Sequence, residues 1–184
     1  MKRLLQYTAA ALAISASGAL AQAQNFAGFY GGVGATSTSV TLGAPAPTYG
    51  ASGIGPSVFA GYNYAVSPNF ILGAEATYGL GSAVFPLVGL SFKNDASLRL
   101  RGGYVINNTL IYGAAGYGVS KLHIPGNSTN GQGWIAALGV EQMLTQSISA
   151  RIEYSHAEYT GYNVISPNLE VVSDAITFGV AYHF

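Results

Sequence analysis

The sequence predicts an all-β chain, an eight-stranded antiparallel up-and-down transmembrane β-barrel, and three observations predict it. Large apolar residues alternate with small or polar ones at period two along most of the chain. The connections between those stretches alternate between short and long. Charged residues make up 8 % of the chain and hydrophobic ones 49 %, with 25 glycines and 13 tyrosines among them. Soluble domains carry about 25 % charged residues, and disordered chains are rich in charge and poor in aromatics, so neither class fits. Abundant glycine disfavours helices, whereas tyrosine favours strands and membrane interfaces.

The first segment reads as an export address. Lys2 and Arg3 precede a mostly apolar stretch from Leu4 to Leu20, followed by two small-x-small signals, Ala19-Leu20-Ala21 and Ala21-Gln22-Ala23. This is the layout of a secretory signal peptide. Gln6, Thr8, Ser15, Ser17 and Gly18 interrupt it too often for a mature helical span, which needs about 20 largely apolar residues. The expected division is a signal peptide over 1–23, cut after Ala23 with Ala21 as the alternative, and a barrel domain over 24–184. No later apolar run escapes interruption by glycine or polar residues. A membrane protein built this way must be a closed barrel, because lipid leaves the edge of an open sheet unsatisfied. Export followed by a barrel implies the outer membrane of a Gram-negative cell.

The last strand shows the rhythm most clearly. Ile176, Phe178, Val180, Tyr182 and Phe184 form one face, and Ala175, Thr177, Gly179, Ala181 and His183 the other. In a lipid-embedded barrel the large apolar set faces out and the small set faces the lumen. The same alternation places Ile148, Ala150, Ile152 and Tyr154 outward, as it does Trp134, Ala136, Leu138 and Val140. Leu98, Leu100 and Tyr104 follow it, then Phe70, Leu72 and Tyr78, and finally Val58, Ala60, Tyr62 and Tyr64. Of these, Tyr62, Tyr64, Phe70, Tyr78, Tyr104, Trp134 and Tyr154 are candidate interfacial aromatics, since such rings form girdles at both membrane surfaces. The stretches near Tyr30–Ala35 and Leu110–Gly118 are too glycine-rich to read by pattern. A two-residue Asn107-Asn108 turn would put Ile111 outward, opposite Tyr104.

Ser67-Pro68, Asn107-Asn108 and Leu144–Ser147 read as tight periplasmic turns. Ser37–Gly55, Leu80–Phe92, Lys121–Gly131 and Thr160–Val172 read as long extracellular loops, in the asymmetry expected of such barrels.

The charges are the candidate site. Five basic and seven acidic residues follow the leader, and six of the twelve fall on the inward face: Glu75, Arg99, Arg101, Glu141, Arg151 and Glu153. An arginine on the lipid face at mid-membrane costs ~2–4 kcal/mol, and inward placement avoids that. A third turn centred near Gln146 sets Glu141 directly opposite Arg151, where opposite charges attract. These pairs neutralise a polar lumen, or, on a sharper reading, form a switchable gate.

Several stretches resemble a known family. Leu138-Gly139-Val140-Glu141-Gln142-Met143 and Ser149-Ala150-Arg151-Ile152-Glu153-Tyr154 are similar to the sixth and seventh strands of the outer-membrane protein A transmembrane domain. Gly73-Ala74-Glu75 and Leu98-Arg99-Leu100-Arg101-Gly102-Gly103-Tyr104 resemble its third and fourth strands. The opening from Phe26 to Gly34 resembles small porin-like surface antigens of α-proteobacteria. The resemblance implies an eight-stranded barrel serving envelope integrity or surface exposure. It places Glu75, Arg101, Glu141 and Arg151 at lumen ion-pair positions, with a further basic position replaced by a small residue near Ala114. It also implies that the alternating end Phe178, Val180, Tyr182 and Phe184 is an assembly signal for the outer-membrane barrel assembly machinery. No residues follow Phe184, so the wall-binding domain often joined to such barrels is not expected.

Other functions fit less well. Net charge is zero and the bases do not cluster, which disfavours nucleic acid. There is no cysteine, no metal-ligand spacing and no phosphate loop, so no cofactor or metal is expected. A lipid-modifying enzyme would use serine and histidine. Ser155 and His156 adjoin but point to opposite faces, His156 reads as interfacial and His183 as near the periplasmic rim, and His123 lies in a loop. A soluble ligand-binding barrel would turn large apolar residues inward. A diffusion porin needs a wider bore than eight strands give. The expected partners are outer-membrane lipid or lipopolysaccharide, the assembly machinery, and an extracellular ligand met by the long loops.

Overall fold

The computed structural model describes residues 22–43, 49–80, 82–85, 90–124, 127–162 and 170–184. Residues 1–21, most of the expected leader, lie outside that set.

Nine β segments form one antiparallel sheet: β1 (Gly28–Gly43), β2 (Tyr49–Ser67), β3 (Phe70–Gly79), β4 (Ser82–Phe85), β5 (Leu90–Ile106), β6 (Thr109–Ile124), β7 (Asn127–Met143), β8 (Ile148–Thr160) and β9 (Glu170–His183). Each long strand pairs with its neighbours in sequence, and β1 pairs with both β2 and β9, which closes the sheet. The short β4 lies between β2 and β5, as β3 does lower down. It prolongs the β3 position, so the barrel has eight strand positions. Among the described residues closure leaves no edge strand whose amides would face lipid.

The alternation holds along the strand cores. Phe178, Val180, Tyr182, Leu98, Leu100, Leu138 and Ile152 are exposed on the outer wall, while Thr177, Ala181, Arg99, Ala137 and Arg151 are buried within. Tyr104 pairs with Ile111, and both face outward. The Asn107-Asn108 turn joins Ile106 to Thr109, and Asn107 takes the positive φ (55°) that such a turn demands and asparagine tolerates. The first turn is Pro68-Asn69 rather than Ser67-Pro68, since Ser67 still pairs with Phe70.

The glycine-rich strands supply inward aromatics. Tyr30 on β1 lies over Gly61, its register partner on β2, and Tyr112 on β6 lies over Gly139 on β7; a methyl group at either glycine would collide with the phenol ring. The glycines make room for rings that fill the bore.

The described parts of the expected long loops are largely strand. β1 runs on to Gly43 and β2 begins at Tyr49, with pairs such as Ser39↔Ser52 and Val40↔Ala51 continuing the ladder. The β6–β7 hairpin extends to Ile124↔Asn127. Parts of each expected loop (44–48, 81, 86–89, 125–126 and 163–169) lie outside the described residues. The alternation fades here because above the lipid nothing selects large apolar residues on the outer face, while the inner face stays buried at Val40, Thr129 and Val171. The backbone ladder needs no such selection and continues.

Candidate functional site

All six charged residues singled out in the sequence project into the lumen and are at most 5 % exposed. They arrive there from four strands: Glu75 from β3, Arg99 and Arg101 from β5, Glu141 from β7, and Arg151 and Glu153 from β8.

Glu75 is the hub. Its carboxylate accepts from Arg99 Nη2, from Arg151 Nη1 at 2.6 Å and from Arg101 Nη1 at 3.3 Å, and Tyr30 Oη donates to it at 2.8 Å. Arg99 also forks onto Glu153, with contacts of 2.8 and 3.2 Å, and Tyr112 Oη donates to the same carboxylate at 2.8 Å. Arg101 links the hub to Glu141 through Nη2 at 2.9 Å. Three acids and three arginines thus form one connected network with no net charge. Rings complete it: the Arg151 guanidinium lies 3.3 Å from the centroid of Phe59, and that of Arg101 lies 4.0 Å from Tyr112. Cation–π contact of this kind stabilises a desolvated guanidinium by about 2 kcal/mol.

The expected partnership of Glu141 and Arg151 needs correction. They are register neighbours on β7 and β8, yet Arg151 bonds Glu75 and Glu141 bonds Arg101. Glu75 lies on the far wall of the bore, where long side chains from opposite walls meet. Register describes one sheet face and says nothing about the wall across from it. A double-mutant cycle reads this directly. Arg151→Ala with Glu75→Ala should show about 1–3 kcal/mol of coupling in urea unfolding, while Arg151→Ala with Glu141→Ala should be near additive. The reverse order would place Arg151 on Glu141.

Below the network, Glu141 accepts from Ser149 Oγ at 2.6 Å and lies 3.0 Å from His183 Nε2, and Ser149 Oγ is also 3.0 Å from that nitrogen. The sequence did not reveal this meeting, because Ser149 and His183 come from different strands. A serine, histidine and acid lie together here without the geometry of a hydrolytic triad. In a triad the acid holds Nδ1 and the serine takes Nε2. Here acid and serine share Nε2, His183 Nδ1 is buried with no hydrogen-bond partner among the described residues, and Ser149 is fully buried. The arrangement holds Glu141 in place.

Above the network lies a small chamber of about 70 Å³ whose lining mixes hydroxyls (Thr36, Ser57, Thr77) with apolar groups (Phe59, Ile135, Tyr159). Hydroxyl pairs stitch its walls, Thr36 to Ser57 at 3.0 Å and Thr77 to Ser97 at 2.7 Å. On the outer wall, Tyr62, Tyr64, Phe70 and Tyr104 lie towards the tight-turn end of their strands and Tyr78 and Trp134 towards the other, while Tyr154 lies midway along β8. Phe70 opens β3 and Tyr78 is its penultimate residue, eight residues on, or ~26 Å along a strand. His156 faces outward beside Trp134, with Nδ1 2.8 Å from Asp174 Oδ1. No group of three or more His, Cys, Asp or Glu among the described residues could hold a metal ion.

Inward tyrosines are what the sequence reading missed. Tyr30 and Tyr112 donate to Glu75 and Glu153 from strands whose glycines obscure the period. The signal that could have found them is the register itself, which places each ring opposite a glycine.

Comparison with known proteins agrees with this architecture. Residues 8–184 match the family described as outer membrane protein beta-barrel domain. A 22 kDa outer membrane protein of Rhizobium leguminosarum bv. viciae is 29 % identical over 143 residues, covering 74 % of this chain and 66 % of that protein. A 25 kDa outer-membrane immunogenic protein of Brucella canis is 33 % identical over 112 residues, covering 57 % and 52 %. The match thus spans between half and two thirds of these relatives' length. Among solved structures, Neisserial surface protein A superposes with a TM-score of 0.61 at 15 % identity, covering 86 % of this chain and 98 % of that one. Ail, the attachment invasion locus protein of Yersinia pestis, gives 0.54 at 13 % identity, covering 85 % and 99 %. At these identities the likeness is one of fold, and the sequence match carries the assignment: the chain is an outer-membrane protein and belongs to the outer membrane protein beta-barrel domain family.

Proposed function

We propose that this protein is a non-enzymatic structural and surface component of the outer membrane, with a lumen that is plugged. The carrying observation is that Glu75 holds arginines from β5 and β8 together across the bore. An eight-stranded barrel is only wide enough for side chains to fill it, and here they fill it with matched charges and aromatic rings. Its lipid-facing wall takes outer-membrane lipid or lipopolysaccharide as its solvent. The hairpins that project above the lipid are the surface offered to an extracellular ligand. The alternating end Phe178, Val180, Tyr182 and Phe184 serves as the address read by the barrel assembly machinery.

Reconstitution in planar bilayers tests the plug. The wild type should give little conductance, or only brief small events, and Arg151→Ala should raise it by removing one bond across the bore. A second reading is a small diffusion channel, in which the hydroxyl-bearing chamber of about 70 Å³ above the network would hold water on the path. Large, steady openings of the wild type would establish it and overturn the plug.

A further inference from the structure

Residues 22–27 do not hang free below the barrel. They fold across its mouth at the end where both the tight turns and Phe184 lie. Gln22–Gln24 form a single helical turn. Ala23 and Phe26 have no exposed surface and pack with Ile71, Val105, Leu110, Tyr112 and Met143 in an apolar cluster inside the bore. Polar contacts fasten the segment on three sides. Gln22 Oε1 accepts from Asn69 Nδ2 and from the Asn107 amide, each at 3.2 Å. The Ala23 amide donates to Pro68 O at 3.2 Å, and Asn63 Nδ2 donates to Phe26 O at 2.8 Å. Gly28 then adopts φ +105°, a conformation that side chains oppose, and turns the chain from the mouth into β1. The segment therefore contacts both of the first two periplasmic turns and the lumen wall between them.

Both small-x-small signals suit a leader peptidase, so the sequence does not choose between them. The contacts do. A cut after Ala23 discards both Gln22 bonds, the Ala23–Pro68 bond, the buried Ala23 methyl and the Ala23 carbonyl that accepts from the Phe26 amide at 3.2 Å. A cut after Ala21 keeps them all. We infer that the leader is removed between Ala21 and Gln22, and that Gln22–Ala27 remains as an apolar stopper sealing the periplasmic mouth of the lumen. This rests on the reading of the first residues as a cleaved leader. It makes closure of the bore double: a stopper at the mouth and an ion-pair plug above it.

Two measurements test it. N-terminal sequencing of the protein isolated from outer membranes should give Gln22 as the first residue. A start at Gln24 overturns the processing site while leaving the leader reading intact, and a start at Met1 overturns both. The stopper is read by thiol labelling, which is clean because the chain has no cysteine. Met143→Cys places a thiol in the cluster beneath Phe26. A membrane-impermeant maleimide should label it slowly, and about tenfold or more faster when Phe26→Ala is added, since a local opening then costs less. Equal rates in the two folded proteins, each verified by gel mobility before and after boiling, would overturn the stopper.

Discussion

Replacing Glu75 with alanine should unfold this barrel more readily than any other single change in the lumen. Three arginines donate to that carboxylate, and each is nearly fully buried. Arg99 and Arg101 retain Glu153 and Glu141, but Arg151 has no other acid within 4 Å among the described residues. Removing one partner of a buried pair costs about 3–5 kcal/mol, because the remaining charge stays desolvated. Tyr30 also loses its acceptor and can only receive from Arg101. The measurement is a urea midpoint in detergent micelles, with the heat-modifiable gel shift as a second readout. The folded wild type should migrate differently before and after boiling, and Glu75→Ala should lose that difference at a lower temperature. Glu75→Gln should fall between them, as the amide keeps an accepting oxygen and loses the charge. A midpoint unchanged by Glu75→Ala would mean that water, rather than Glu75, solvates the arginines.

Truncation at the other end should act on assembly. Deleting Phe184 should sharply lower the amount of barrel in the outer membrane and raise periplasmic degradation products. Phe184 is 81 % exposed, so it adds little to packing within the chain. It does carry one backbone bond of the closing seam, its amide donating to Phe29 O at 2.9 Å, and its ring meets Tyr182 edge to face at 5.0 Å. Phe184→Ala keeps the backbone bond and removes the ring, so the pair of variants separates seam from signal. If the ring is the address, both variants lose cellular yield while purified Phe184→Ala refolds in detergent as the wild type does. If both variants reach the outer membrane at wild-type levels, the address lies elsewhere. The β9 strand pairs on both sides, with β1 and with β8, so its arrival closes the barrel. An assembly signal on the closing strand is physically apt, because until that strand pairs the sheet has open edges that lipid cannot satisfy.

The period-two alternation by itself determined which residues face lipid and which face the bore. That facing is a local property: a strand side chain points opposite to its neighbours whatever the rest of the chain does. Hence Leu98 and Phe178 could be placed outward and Arg99 and Glu141 inward without coordinates, and the tight Asn107-Asn108 turn set the β5–β6 register. The pattern failed where selection on one face is missing. The hairpin ends around Ser39–Ser52 read as loop because their outward residues, Ser39 and Ser52, are small and polar, although Val40 is buried on the inner face. β1 and β6 were unreadable because their own glycines mark no face; Gly32 of β1, for example, makes room for the Phe59 ring. Only the closed tertiary structure decided which charges meet. Closure brings β3 and β8 within reach of each other across the bore, so Arg151 finds Glu75 and not its register neighbour Glu141. It likewise decided that Gln22–Ala27 turns back over the mouth, since the apolar cluster that receives Phe26 exists only once Ile71, Val105, Leu110 and Met143 from four strands surround one space. Facing is encoded residue by residue, whereas partnership across a lumen depends on how many strands close the ring and how they are staggered.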